Sequence, residues 1–195
     1  MAKAVDSGMP LDEALRVIHA LRGDAIVVTS MGATREWARF DAHPLDLHYV
    51  PSAMGQASTL GLGLALAQPG RGVIAISGDG SLLMNLGCLA TIAANPAPNF
   101  TLIVLVNGIY EVTGGQQTAP SRDIDFVAIA KAAGIASACG FNDLAQWRAE
   151  ARGILTTAGP RFISLGVSPV GDDYHLKAPG PLAERLAGFR KALAN

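Results

Sequence analysis

An acidic residue, Asp79, stands between Gly78 and Gly80 where the apolar run GVIAIS (72–77) ends and a second apolar run begins. Asn107, 28 residues later and followed by Gly108, closes the run FTLIVLV (100–106) in the same way. A carboxylate, an amide carbonyl and a backbone carbonyl from the loop after Asn107 are hard oxygen donors. Mg²⁺ takes such donors while it also holds phosphate oxygens. A helix opening near Ser81 would aim its free N–H groups and positive dipole end at the same spot. Glycines at 78 and 80 would let the backbone approach a diphosphate with no Cβ in the way. The pattern predicts a metal-bridged diphosphate site. Taken singly, GDG and Asn-Gly are each stock turns. Their joint placement, at two strand ends with one helix between, is what points to a ligand.

Such a site needs two neighbouring parallel strands, because ligands of open α/β sheets bind beyond the carboxyl ends of the strands. Strands are expected at 24–30, 47–50, 72–77, 100–106, 135–138 and 161–167. They alternate with helices expected at 10–21, 34–40, 55–67, 82–94, 123–133, 142–157 and after Pro181. In the first helix Leu11, Ala14, Leu15, Ile18 and Leu21 share one face, with Asp12 and Glu13 in the first turn. Continuous apolar strands between amphipathic helices imply an α/β fold: an open, mostly parallel sheet of about six strands with helices on both faces. No linker, repeat or low-complexity tract interrupts the chain, so residues 1–195 are expected to form a single domain.

Half of the 195 residues are hydrophobic and only 16% are charged, against about 25% in ordinary soluble domains. Residues 47–70 and 81–110 contain no Asp, Glu, Lys or Arg. Pro51, Gly55, Gln56 and Ser58 break the first segment and NPAPN (95–99) the second, so neither reads as a membrane span. Extensive burial, part of it against another chain, is the expectation. The net charge of -1 gives no electrostatic case for nucleic acid or an anionic membrane. Cys88 and Cys139 form no CxxC pattern, and no apolar leader opens the chain, so a cytoplasmic location is expected. Gly61 and Gly63 lie inside a helical pattern rather than after a strand, which argues against a dinucleotide site. Neither GxxxxGK[ST] nor GxSxG occurs, which leaves a P-loop enzyme or a serine hydrolase without support.

The stretch GDGSLLMNLGCLATIAANPAPNFTLIVLVNGIYEVTGGQQ (78–117) resembles the motif of the thiamine diphosphate-dependent enzymes, which runs from GDG to an Asn at the end of the next strand. More narrowly it is similar to the decarboxylases of sulfopyruvate and phosphonopyruvate. The similarity extends to TSMGATREW (29–37) and SAMGQASTLGLGLALAQP (52–69). The family usually has Asn-Asn where this chain has Val106-Asn107, and the second Asn is the ligand. The resemblance implies thiamine diphosphate and Mg²⁺ as cofactors, with Asp79, Asn107 and the Ile109 carbonyl as metal ligands. Gly78, Gly80 and Ser81 would lie near the diphosphate. Met54 would prop the bent cofactor, its alternative being an ordinary core methionine. The Ser52 carbonyl would face the aminopyrimidine. Thr34 would sit at the diphosphate end or serve as a plain helix N-cap.

The family activates its cofactor with a glutamate on a second, pyrimidine-binding domain, and Glu13, Glu36, Glu111, Glu150 and Glu184 match no such motif. The resemblance therefore implies the β subunit of a two-chain enzyme, sulfopyruvate decarboxylase foremost and phosphonopyruvate decarboxylase second. The partner would be a pyrimidine-binding α subunit in a hetero-oligomer, α2β2 or larger, and the substrate a small 2-oxo acid. Arg35, Arg122, Glu111, Thr113 and Gln116 are candidates for the substrate side, with solvated helix-end charges the alternative for the arginines. A non-catalytic module that binds the cofactor is the rival from another class.

Overall fold

In the computed structural model, residues 8–49, 53–118, 124–170 and 180–194 are described. The strands are β1 (Ile26–Thr29), β2 (Asp46–His48), β3 (Val73–Gly78), β4 (Phe100–Val106), β5 (Ile109–Tyr110), β6 (Gln116–Gln117), β7 (Ser137–Phe141) and β8 (Arg161–Gly166). Six of them build one sheet in the order β2-β1-β3-β4-β8-β7, with every pairing parallel. The expected α/β sheet of six strands is present. β5 and β6 form a separate antiparallel hairpin within the Gly-rich segment that follows β4.

The helices are α1 (Leu11–Leu21), α2 (Met31–Trp37), α3 (Ala57–Ala67), α4 (Asp79–Met84), α5 (Cys88–Ala94), α6 (Phe126–Ala132), α7 (Leu144–Thr156) and α8 (Leu182–Leu193). Successive strand residues point to opposite faces, and both faces are apolar. Val73, Ala75, Leu102 and Val104 pack under α3, α5, α6 and α8 through Leu62, Ile92, Phe126 and Phe189. Val27, Ile76, Ile103 and Leu165 pack under α1, α2 and α7 through Ile18, Trp37 and Trp147. Trp147 also donates its Nε1–H to the Ala14 carbonyl at 3.1 Å, fixing α7 to α1. Cys88 belongs to the first layer and Cys139 lies against the second, so the sheet separates the two free thiols.

The helix expected over 82–94 is instead two helices. α4 starts earlier, at Asp79 with Gly78 as its N-cap, and the chain turns through 85–87 before α5. Asn85 is the reason for the break: its Nδ2 donates to the Gly55 carbonyl at 3.0 Å, a tie across 30 residues that no local periodicity announces. Among the described residues no helix is long and apolar enough to cross a membrane.

Candidate functional site

The strand order reverses at β1. β2 lies on one side of it, and β3 and β4 lie on the other. Such a switch point opens a crevice at the carboxyl ends of the strands. The cleft there is lined by Ser30, Met31 and Gly32 beyond β1, by 78–81 beyond β3, and by Asn107 and 109–113 beyond β4. Met54 and Met84 form its rim and stay 50% and 47% exposed. The cleft holds about 100 Å³, against ~300–1,000 Å³ for small-molecule pockets. The described residues therefore enclose only part of a cofactor-sized ligand.

Asp79 lines this cleft and is 1% exposed. Its Oδ1 accepts the Gly80 N–H at 2.8 Å. Its Oδ2 accepts the Gly108 N–H at 2.9 Å and the Thr118 hydroxyl at 3.5 Å. Burial pushes its carboxyl up from the usual carboxylate range, against the opposing pull of those three donors. No cation pairs with it among the described residues. A carboxylate in the first turn of a helix, fixed by N–H groups and lacking a counter-charge, has the chemistry of a divalent-cation ligand.

The β4 side brings further oxygen-bearing residues to the cleft. Gly108 has φ +77, a conformation open to glycine, and this turns its N–H onto Asp79. Its carbonyl accepts the Thr118 N–H at 3.0 Å, which places Gly108 and Tyr110 at the hydrogen-bonded positions of the hairpin. Ile109, between them, sits at a non-hydrogen-bonded position. Its N–H points away from β6, to the Asn107 Oδ1 at 3.1 Å, and its carbonyl shares that side of the strand. Asn107 Nδ2 donates to Glu111 Oε2 at 3.2 Å, which fixes the amide orientation. Asp79, Asn107 and Ile109 thus line one cleft with a carboxylate, an amide oxygen and a backbone carbonyl, donor types that a hard metal ion takes.

The remaining sequence candidates divide. Gly78 has open space where a Cβ would stand, as a closely approaching ligand requires. At Gly80 the reason differs from the one expected: a Cβ would come within 2.5 Å of the Tyr110 ring, so this glycine makes room for Tyr110. Ser81 Oγ accepts the Gly55 N–H at 3.1 Å, and its hydrogen remains available to an acceptor. Met54 is a rim residue and not core. Thr34 is not in the cleft and is not an N-cap. α2 begins at Met31 with Ser30 as its cap, and the Thr34 hydroxyl is buried against Thr29 Oγ1 at 2.9 Å and the Ser30 carbonyl at 3.0 Å. Ser52 and Arg122 lie outside the described residues.

On the substrate side, Arg35 pairs with the buried Glu36 at 2.8 Å rather than standing as a solvated charge. Glu111 and Thr113 line the cleft, whereas Gln116 is exposed on β6. Two contributors went unread in the sequence. Thr118 shows no spacing signal, and the cleft wall of Ser30, Met31 and Gly32 depends on β1 lying beside β3, which only the strand order reveals.

Residues 29–165 match the family model described as "Thiamine pyrophosphate enzyme, C-terminal TPP binding domain". The chain is 40% identical over 156 residues to the phosphonopyruvate decarboxylase of Streptomyces hygroscopicus, covering 79% of this chain and 38% of that protein. It is 36% identical over 162 residues to the sulfopyruvate decarboxylase subunit beta of Methanothermobacter thermautotrophicus, covering 83% of each. The fold matches the thiamine diphosphate-dependent 4-hydroxybenzoylformate decarboxylase of Rhodococcus jostii RHA1 with a TM-score of 0.67 at 22% identity, over 86% of this chain and 34% of that one. The chain thus spans little more than a third of the length of some curated relatives. It belongs to the thiamine pyrophosphate enzymes, and the part of them that it matches is their C-terminal, cofactor-binding domain.

Proposed function

We propose that residues 1–195 form one domain that holds the diphosphate end of thiamine diphosphate through Mg²⁺ in a 2-oxo acid decarboxylase, and that this enzyme is sulfopyruvate decarboxylase, with the present chain as its β subunit. The observation that carries the metal site is the buried Asp79 carboxylate, held by N–H donors beside Asn107 and without a counter-charge among the described residues. Asp79, the Asn107 Oδ1 and the Ile109 carbonyl would hold the ion. Gly78 leaves room for the diphosphate, and Ser81 can donate its hydroxyl hydrogen to it. Met54 would prop the cofactor from the rim, and the Ser52 carbonyl would meet the aminopyrimidine. Bound cofactor supplies the electron sink that loss of CO₂ from a 2-oxo acid needs.

The activating glutamate, in this reading, comes from a separate pyrimidine-binding α subunit. Three observations support a partner: the small cleft, the half-exposed Met54 and Met84 on its rim, and the subunit name of the methanogen relative. The span over that relative favours sulfopyruvate, to be converted to sulfoacetaldehyde and CO₂. The higher identity to the Streptomyces enzyme supports phosphonopyruvate as the second reading. The test is to reconstitute the chain with a candidate α subunit and follow CO₂ release from sulfopyruvate, phosphonopyruvate and pyruvate. Alone, the chain is expected to bind thiamine diphosphate weakly and to turn over nothing. Robust turnover of sulfopyruvate by this chain alone would overturn the two-subunit reading.

A further inference from the structure

A second cleft lies at the opposite end of the sheet, where the chain enters β1, β3, β4 and β8. It holds about 420 Å³ and is lined by the three guanidinium residues Arg22, Arg71 and Arg161, with Asp24 the only carboxylate lining it among the described residues. Arg22 is already matched: it forms an ion pair with Asp46. Arg71 and Arg161 have no ion-pair partner among the described residues. Arg161 is 7% exposed, donates its Nε–H to Thr101 Oγ1 at 2.8 Å and caps the end of α7 through the Thr157 carbonyl. These contacts are neutral and hold the fork in place without cancelling its charge. Arg71 Nη1 and Arg22 Nε are buried N–H donors with no acceptor among the described residues. Burial lowers the proton affinity of Arg22 and of Arg161, as expected of cations withdrawn from water. Two buried guanidinium donors thus lack acceptors beside a space the size of a ligand pocket.

We propose that this cleft binds a small phosphate-bearing anion, either inorganic phosphate or a phosphate monoester, through Arg71 and Arg161. Two guanidiniums that pair with no carboxylate among the described residues match a phosphate dianion in charge, and their planar forks match its oxygens. No metal takes part. The site is separate from the cofactor cleft, being lined by none of the same residues.

The full chain in EDTA would be titrated with inorganic phosphate and with glycerol 3-phosphate, followed by calorimetry and ³¹P line broadening. EDTA keeps the metal cleft out of the measurement. Saturable binding at one site is expected, weakened about tenfold or more by Arg71→Gln through loss of a charge-assisted hydrogen bond. The Arg71 side chain makes no hydrogen bond to a described residue, so this variant should melt like the parent. Arg161→Lys, which keeps the charge and loses the fork, should also weaken binding. Asp79→Asn should leave it unchanged. A tighter monoester would name an ester as the ligand, and tighter inorganic phosphate the free ion. No saturable binding of either anion, equal binding by Arg71→Gln, or loss with Asp79→Asn would each overturn the proposal.

Discussion

The two ends of the sheet are built from the same strands and present charge of opposite sign, arginines where the strands enter and Asp79 at the carboxyl end. At the end where the strands enter, Arg22 is paired with Asp46, Arg161 caps α7, and Asn99 donates to the carbonyls of Ala65, Gln68 and Arg71 at 3.0, 2.9 and 2.8 Å. Polar groups there lock helix ends to strand starts. At the carboxyl end Asp79 is held, among the described residues, by N–H and O–H donors alone. Ties between helix ends and strand starts are thus concentrated where the strands enter, and the cofactor cleft lies at the other end.

The sharpest way to break this contrast is Asp79→Asn. It keeps an acceptor for Gly80 or Gly108 and removes the charge, so Mg²⁺-dependent binding of thiamine diphosphate should fall by about a thousandfold or more, roughly 4 kcal/mol. Melting of the metal-free chain should hold or rise, because a buried charge without a counter-ion is gone. Calorimetry and thermal unfolding read the two halves separately. A large fall in melting temperature would erase the distinction between the ends.

At the other end, Asp46→Ala leaves Arg22 buried and unpaired, at a cost of about 3–5 kcal/mol. Denaturant unfolding should show it, while the cofactor affinity of the folded fraction stays unchanged. Asn99→Ala removes three hydrogen bonds at once and should cost about 2–3 kcal/mol, again with no effect on cofactor binding.

The smallest effect concerns pH. Burial holds the His48 imidazole below its ordinary range, with Asp46 opposing and Arg185 assisting. Its pKa is lower folded than unfolded, so its contribution is fully present above the unfolded value. It is lost as pH falls from about 6.5 toward the lowered value. The melting temperature should therefore dip on mild acidification, and His48→Gln should flatten the dip. His48 Nδ1 meets Thr29 Oγ1 at 3.0 Å, so the glutamine can retain a polar contact there.

The main sheet was legible because its strands are unbroken apolar runs, Val73–Ser77 and Phe100–Leu105 above all, buried on both faces. Asp79 and Asn107 stood out because polar residues interrupt those runs where a parallel sheet places its ligands. What stayed hidden depends on contacts distant in sequence. The break between α4 and α5 follows from Asn85 reaching Gly55, and Gly80 is needed for the ring of Tyr110. The β5–β6 hairpin pairs only two residues on each strand, too few for an alternation to register. Thr34 misled because its Thr-x-x identity resembles a cap, whereas the helix had already begun three residues earlier.

The cleft walls come from chain segments as far apart as Ser30 and Thr113, and they meet only when β1, β3 and β4 lie side by side. A ligand that fills the cleft can therefore bind only a chain whose central strands are already in register. By mass action, each tenfold excess of ligand over its dissociation constant then adds about 1.4 kcal/mol to the folded state. Cofactor supply becomes a control on how much of this protein is folded at all, ahead of any control on how fast it works.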